Sequence, residues 1–142
     1  MIVYSTSSDG IDWAELKAEL AADHFDNGRT ADQMERSFRA SFRCAYARDR
    51  GRCIGTARAL SDGVCNAYVV DMWTHSAYRR RGIGRQMLEL LCEALIGQHV
   101  YLFTDDQHEF YAACGFASRG RGMERVIGRW LDRPGRPVGY PC

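Results

Sequence analysis

The period of the apolar positions changes repeatedly along the chain, and each change marks an element. Met1 to Tyr4 reads as a short edge strand. Ser7-Ser8-Asp9-Gly10 is turn chemistry, and Asp12 with Glu15 sets up a capping box for a helix whose face carries Trp13, Leu16 and Leu20. Phe25-Asp26-Asn27-Gly28-Arg29 breaks that helix. Thr30 with Gln33 starts a second one, with Met34, Phe38 and Phe42 as its apolar stripe. Arg43 to Arg48 and Cys53 to Leu60 read as strands around a hairpin turn at Asp49-Arg50-Gly51-Arg52. Ser61-Asp62-Gly63 turns the chain again into Ala67 to Thr74, so three antiparallel strands are expected in a row. Ile83, Met87, Leu88, Leu91 and Leu95 then recur at helical spacing, and Val100 to Thr104 is a further strand. A helical connection between the strands at 67–74 and 100–104 implies that they pair in parallel. His108 to Ala113 forms a short helix ended by Gly115, and Phe116 to Arg119 with Met123 to Ile127 closes a hairpin across Gly120-Arg121-Gly122. The order β-α-α-β-β-β-α-β-α-β-β predicts an α/β (α+β) fold on a mixed, mostly antiparallel central sheet. It occupies one domain, residues 1–131, followed by a flexible tail at 132–142 that holds all three prolines.

Chemistry concentrates in Tyr68-Val69-Val70-Asp71-Met72-Trp73-Thr74-His75-Ser76-Ala77-Tyr78-Arg79-Arg80-Arg81-Gly82-Ile83-Gly84-Arg85. A buried strand runs through a basic, glycine-bearing turn into a helix N-terminus. Unpaired backbone N–H groups converge at such a point and the helix dipole adds partial positive charge, which makes an anion site. Glycines let the backbone come close to a phosphate, and the arginines add formal charge. A dinucleotide fingerprint needs a third glycine where Met87 stands, and a P-loop needs Gly-Lys-Ser/Thr; neither is present.

Arg79-x-x-Gly82-x-Gly84 after a strand resembles the acetyl-coenzyme-A pyrophosphate loop of the GNAT acetyltransferase superfamily. Downstream, Phe110-Tyr111-Ala112-Ala113-Cys114-Gly115-Phe116 resembles the Phe-Tyr-x-x-x-Gly-Phe segment of the same superfamily, in the expected order. The resemblance covers roughly residues 1 to 130 and implies a GNAT-like sheet whose central strands, 67–74 and 100–104, splay apart to admit the pantetheine arm. It implies backbone contacts to the coenzyme from Met72 and Thr74, with the Met72 N–H as oxyanion donor. It implies a pyrophosphate seat around Arg79, Arg80, Arg81, Gly82, Gly84 and Arg85. Tyr111 occupies the position of the acid that serves the departing thiolate; the alternative is a tyrosine packed between Phe110 and Phe116.

The general base is open. Tyr68 stands where some members carry a strand Glu, and Asp71 is the nearest substitute, either as base or in a structural role hydrogen-bonding the neighbouring turn; Asp105, Asp106 and Asp26 acting through water, or no base at all for an amine of low pKa, are the alternatives. Strict alternation puts Asp71 on the face opposite Tyr68, Val70 and Met72 unless a bulge rotates it. Residues 24–31, with Phe25 and Asp26, read as a helix connector, and the resemblance makes them a lid and specificity loop. Asp105 with Asp106 stands where the family often has Asn: the pair could attract a cationic amine, or cap the helix through Asp106.

Composition narrows the field. With 142 residues, 46% apolar and 26% charged, the chain is long enough for a core, and a net charge of +1 gives no global pull towards nucleic acid or anionic lipid. The cysteines at 44, 53, 65, 92, 114 and 142 and the four histidines show no metal-ligand spacing, so no metal is expected. No leader-like segment or membrane-length apolar run is visible, and a reduced, cytoplasmic setting follows. The expected activity is acetyl-CoA-dependent N-acetylation of a primary amine on a small-molecule acceptor. A coenzyme-binding regulator without catalysis, a nucleic-acid binder, or acetylation of a protein or aminoacyl-tRNA amine are the alternatives. Trp130, Leu131 and the tail offer a surface for a homodimer.

Overall fold

A computed structural model of the chain describes residues 1–131, so the expected tail at 132–142 lies outside the described residues. The described chain falls into two compact units, one from Met1 to Leu102 and one that begins at Phe103. The first holds a five-stranded sheet in the order β1-β2-β3-β4-β5, made of Ile2–Ser5, Arg43–Asp49, Arg52–Ser61, Asn66–Thr74 and His99–Tyr101. Strands β1 to β4 pair antiparallel and β4 pairs with β5 in parallel, as the helical crossover requires. The hairpin between β2 and β3 turns through Arg50 and Gly51, both left-handed (φ 51 and 84), the backbone signature of a type I′ turn. No helix of the described residues is long and apolar enough to cross a membrane.

Helices α1 (Trp13–Ala22) and α2 (Ala31–Arg39) start where the sequence places their caps. The Asp12 carboxylate accepts the Glu15 N–H at 2.9 Å, and Thr30 and Gln33 form a reciprocal capping box. Their apolar faces bury Trp13, Leu16, Leu20, Met34 and Phe38 against Cys44, Tyr46, Cys53 and Trp73 of the sheet. The rings interlock, with Trp13–Phe38 at 5.4 Å and Phe38 stacked on Tyr46 at 5.8 Å. Tyr46 is wholly buried; its hydroxyl meets Ser8 Oγ at 2.6 Å, and burial pushes its pKa up. Helix α3 (Ile83–Cys92) lies against β2, β3 and β4 and buries Ile83, Met87, Leu88 and Leu91.

Three sequence expectations shift. Phe42 is 46% exposed because α2 is capped at Ala40, and the Phe42 N–H is taken by the carbonyl of Ala59 as the chain enters β2. Strand β5 is His99–Tyr101, shorter than 100–104. In the second unit only α4 (His108–Ala113) is regular, and the hairpin expected at 116–119 and 123–127 is not formed among the described residues. Arg119, Gly120, Arg121 and Gly122 are exposed, as are Met123, Val126 and Ile127, so no apolar face is buried there to hold two strands together.

Gly55 of β3 lies directly under Met87 of α3: a Cβ there would lie 2.9 Å from Met87 Cε and 3.0 Å from its Sδ. Gly55→Val should therefore lower the denaturant midpoint, with a loss of about 1–3 kcal/mol from overpacking, while the dependence on denaturant stays unchanged.

Candidate active site

Strand β4 outruns its parallel neighbour. Its ladder with β5 joins Asn66, Ala67 and Tyr68 to His99, Val100 and Tyr101, and Val69–Thr74 continues with no strand on that side among the described residues. On its other edge the register with β3 shifts between Thr56 (opposite Trp73) and Arg58 (opposite Val70), so Asp71 and Met72 bulge where β3 offers one residue. Asp71 is left-handed at φ 52, a conformation aspartate tolerates better than most side chains. The bulge that the alternation argument required is present, and it carries both Asp71 and Met72.

The Asp71 carboxylate is fully engaged. Arg29 Nη2 donates to Oδ1 at 2.7 Å and Nη1 to Oδ2 at 3.1 Å, and Arg58 Nε also donates to Oδ2. Thr56 donates its hydroxyl to the Asp71 carbonyl at 2.8 Å. Asp26 is engaged too: Lys17 Nζ donates to it at 3.0 and 3.2 Å and Gly28 N–H at 3.2 Å. The Lys17 hydrogen bond leads the causes that hold the Asp26 carboxyl below the usual carboxylate range, outweighing partial burial. Phe25, beside it, is 42% exposed.

Between β4 and α3 the chain turns through Ser76–Tyr78 and the basic run. Asp23 organises this turn. Helix α1 ends in a Schellman arrangement, with His24 left-handed at φ 59 and the Phe25 N–H returning to the Leu20 carbonyl at 2.8 Å. The Asp23 carboxylate at that end accepts Trp73 Nε1 at 2.8 Å, Ser76 N–H at 3.1 Å and Arg79 Nη2 at 2.9 Å. Burial by itself would raise its pKa, but these donors and the Arg79 charge outweigh it and hold the carboxyl below its ordinary value. Arg79 also donates through Nε to the Thr74 carbonyl at 3.1 Å.

The arginine side chains of the cradle are largely spoken for. Arg79 is held by Asp23, Arg81 lies over the Tyr78 ring at 5.2 Å, and Arg85 pairs with Glu89 at 3.2 Å. What remains is main chain. Arg80 and Gly82 are both left-handed (φ 62 and 76), Gly82 caps α3 with no side-chain hydrogen bond, and the first-turn N–H groups of Ile83, Gly84 and Arg85 have no intrahelical acceptor. Open space surrounds the position a Cβ would take at Gly82. These are the requirements for seating an anion on backbone amides.

In the second unit, α4 ends as a Schellman motif. Gly115 is left-handed at φ 93, its N–H returns to Ala112 O at 3.0 Å, and the Phe116 N–H returns to Tyr111 O at 3.0 Å. The rings of Tyr111 and Phe116 meet at 6.0 Å, the apolar contact that accompanies such an end. Spacing and residue types of the second motif thus have a local explanation in helix termination. Burial, with smaller contributions from the Cys114 thiol and the Asp106 carboxylate, pushes the Tyr111 pKa up to about 12. The cap expected from Asp106 is not made; Gln107 occupies the N-cap position, and Thr104 Oγ accepts its N–H at 2.9 Å. Asp105 is exposed in the same turn.

Asp71, Met72 and Thr74 share the free length of β4, Arg79 to Gly82 complete the turn that follows it, and Gly84 and Arg85 lie in the first turn of α3. Asp23, Arg29 and Arg58 were not singled out from the sequence. They lie in no motif, and only the fold joins them to β4, across 50, 42 and 13 positions of chain respectively. Among the described residues no group of three or more His, Cys, Asp or Glu could hold a metal ion. Asp23→Asn should destabilise the protein at neutral pH. Because the folded carboxyl titrates below 3.8, its contribution is present above that value and fades as pH falls through the folded pKa, so thermal melts of variant and wild type should converge in acid.

The acetyltransferase (GNAT) family model matches residues 11–116. Histone acetyltransferase TAP1 of Glycine max is 34% identical over 83 residues, which are 56% of this chain and 36% of that protein. The chloroplastic GCN5-related N-acetyltransferase 2 of Arabidopsis thaliana is 34% identical over 80 residues, 54% of this chain and 31% of that protein. The chain thus spans about a third of the length of the curated relatives it matches. Among solved structures, an acetyltransferase of the GNAT family from Streptococcus pneumoniae shares the fold, with a TM-score of 0.75 at 21% identity over 91% of this chain and 100% of that one. The family match runs from the start of α1 through the free length of β4 and the glycine turn to the Gly115-Phe116 pair that ends α4, and the chain belongs to the acetyltransferase (GNAT) family.

Proposed function

We propose that the protein is an acetyl-CoA-dependent N-acetyltransferase that moves an acetyl group to a primary amine, by direct attack of the amine on the thioester. The observation that carries this reading is the free length of β4, Val69–Thr74, bulged at Asp71–Met72 and leading into a cradle of main-chain amides at the start of α3. A pantetheine arm can pair with that edge as a strand would, while its diphosphate takes the N–H groups from Arg80 to Arg85. Met72 supplies the N–H for the developing oxyanion, the kind of fixed dipole whose loss costs about 10²–10³ in rate. We take both units as parts of one catalytic domain, residues 1–131, which the span of the family match supports.

Tyr111 is assigned as the hydrogen-bond donor to the departing thiolate. With a pKa of about 12 it is protonated throughout the physiological range. That value lies well above the roughly 8.5 of a free thiol, so its hydroxyl supports the thiolate through a hydrogen bond more readily than by surrendering its proton. Tyr111→Phe should lower kcat at least about tenfold, and no alkaline loss of kcat through ionisation of Tyr111 should occur below its pKa of about 12.

The acceptor is proposed to be a small-molecule amine. Phe25, Asp26 and Asp105 are candidates for its recognition, although the pairing of Asp26 with Lys17 reduces the pull on a cation. The likeness to a protein named as a histone acetyltransferase favours a second reading, a protein amine. Cys44, Cys53, Cys65 and Cys114 are free thiols, which supports a reducing compartment, here proposed as the cytoplasm. Trp130 is 62% exposed and stays a candidate for a homodimer surface.

Acetyl-CoA should raise the melting temperature by linkage, and an amine and peptide panel read by thiol release should then show turnover. Binding without turnover would point to a regulator; neither effect would remove the acyl-transfer reading. Gly84→Asp places a carboxylate where helices favour one, so the fold should hold while acetyl-CoA affinity falls at least about tenfold through repulsion of the diphosphate. Arg80→Ala should change that affinity less, by calorimetric titration, because the seat is main chain.

A further inference from the structure

We infer that Asp71 is a positioning residue, gripped by Arg29 and Arg58 so that the β-bulge of β4 and the backbone of Met72 are locked, and that it is not the proton acceptor. The inference rests on the acyl-transfer reading above and assigns Arg29 and Arg58 a part in it.

Asp71 holds a left-handed backbone, φ 52, which is uncommon for a residue with a Cβ even though aspartate bears it better than most, and here its surroundings fix it. The imposing contacts come from three residues on two elements. Arg29 arrives from the loop between α1 and α2 and binds both carboxylate oxygens. Arg58 arrives from β3 through Nε, and Thr56 of the same strand holds the Asp71 carbonyl. Both arginines are themselves fixed. Arg29 Nε donates to Asn27 Oδ1 at 3.0 Å, Arg58 Nη1 donates to Ser41 Oγ at 3.3 Å, and the two guanidiniums lie over the Phe38 ring at 5.9 and 5.6 Å. The peptide plane that carries the Met72 N–H is set by the dihedrals of Asp71, so fixing one residue aims the next.

The same contacts argue against proton transfer to Asp71. Its side chain is 14% exposed, and those of Arg29 and Arg58 are 7% and 14%. Facing it are Arg29 from the loop, Arg58 from β3 and the Cys44 thiol from β2. Both carboxylate oxygens already accept hydrogen bonds from guanidinium groups, so turning either towards an incoming amine would mean giving those bonds up. Breaking those hydrogen bonds would also release the bulge on which the oxyanion N–H depends.

The test is steady-state kinetics on the full chain, with acetyl-CoA and an amine turned over by wild type. Arg29→Met should lower kcat at least about tenfold, as misplacement of a reacting group does, with KM for acetyl-CoA within about twofold. Arg29→Lys should fall between, since it keeps the charge but not the two-pronged grip. Asp71→Asn, which tolerates the left-handed backbone, should retain the acid limb of the wild-type kcat/KM profile at reduced height. Wild-type kcat in Arg29→Met, or loss of the acid limb in Asp71→Asn, would overturn the inference. If Arg29→Met fails to fold, wild-type kcat in Arg29→Lys would overturn it equally. Wild-type protein that neither binds nor turns over acetyl-CoA would instead overturn the acyl-transfer reading, a result separable from the others because those require an active wild type.

Discussion

A strand that leaves one edge without a partner must be held by everything else it touches. In this protein β4 is that strand: from Val69 to Thr74 it has no strand on the β5 side among the described residues, and its backbone there is free for a ligand only because other contacts fix it. Three carboxylates distribute the load. Asp71 fastens the bulge to β3 and to the α1–α2 loop, and Asp23 fastens Trp73, Ser76 and Arg79 to the end of α1. Glu19, one helical turn before Asp23, meets both Arg52 and His75. The end of α1 thus braces β4 and the turn that follows it, and neighbouring backbone is organised by charge-assisted hydrogen bonds rather than by a further ladder.

This changes how the basic run is understood. In isolation Arg79-Arg80-Arg81 and Arg85 suggest a phosphate grip by formal charge. The structure assigns Arg79 to Asp23 and the Thr74 carbonyl, Arg81 to the Tyr78 ring and Arg85 to Glu89. Arginine's planar, multi-donor head makes it suited to tying loops as well as to binding anions. What the turn offers an anion is geometry: left-handed Arg80 and Gly82, then the unpaired amides of a helix start.

The second motif has a similar double meaning. Tyr111, Gly115 and Phe116 are at the positions that a Schellman end requires for its carbonyl acceptor, its left-handed residue and its apolar clasp. A residue can serve helix termination through its backbone and ring and still leave its hydroxyl for chemistry, so the role proposed for Tyr111 does not compete with its structural one.

The sequence by itself determined the element order through α4, the capping of α1 and α2, the core faces of α1 and α3, and the position of the glycine turn. These follow from local periodicity and cap chemistry, which act over a few residues and need no knowledge of the fold. It also carried both motifs, because each is a local backbone arrangement with few permitted side chains. Tertiary structure alone decided the rest. That Arg29 and Arg58 would meet at Asp71, that Asp23 would gather Trp73, Ser76 and Arg79, and that the segment after Phe116 would form no hairpin among the described residues all depend on partners distant in the chain or on an apolar surface to bury against. Ion pairs of that kind have no period and no spacing, so nothing in the order of residues announces them until the fold has brought the charges together.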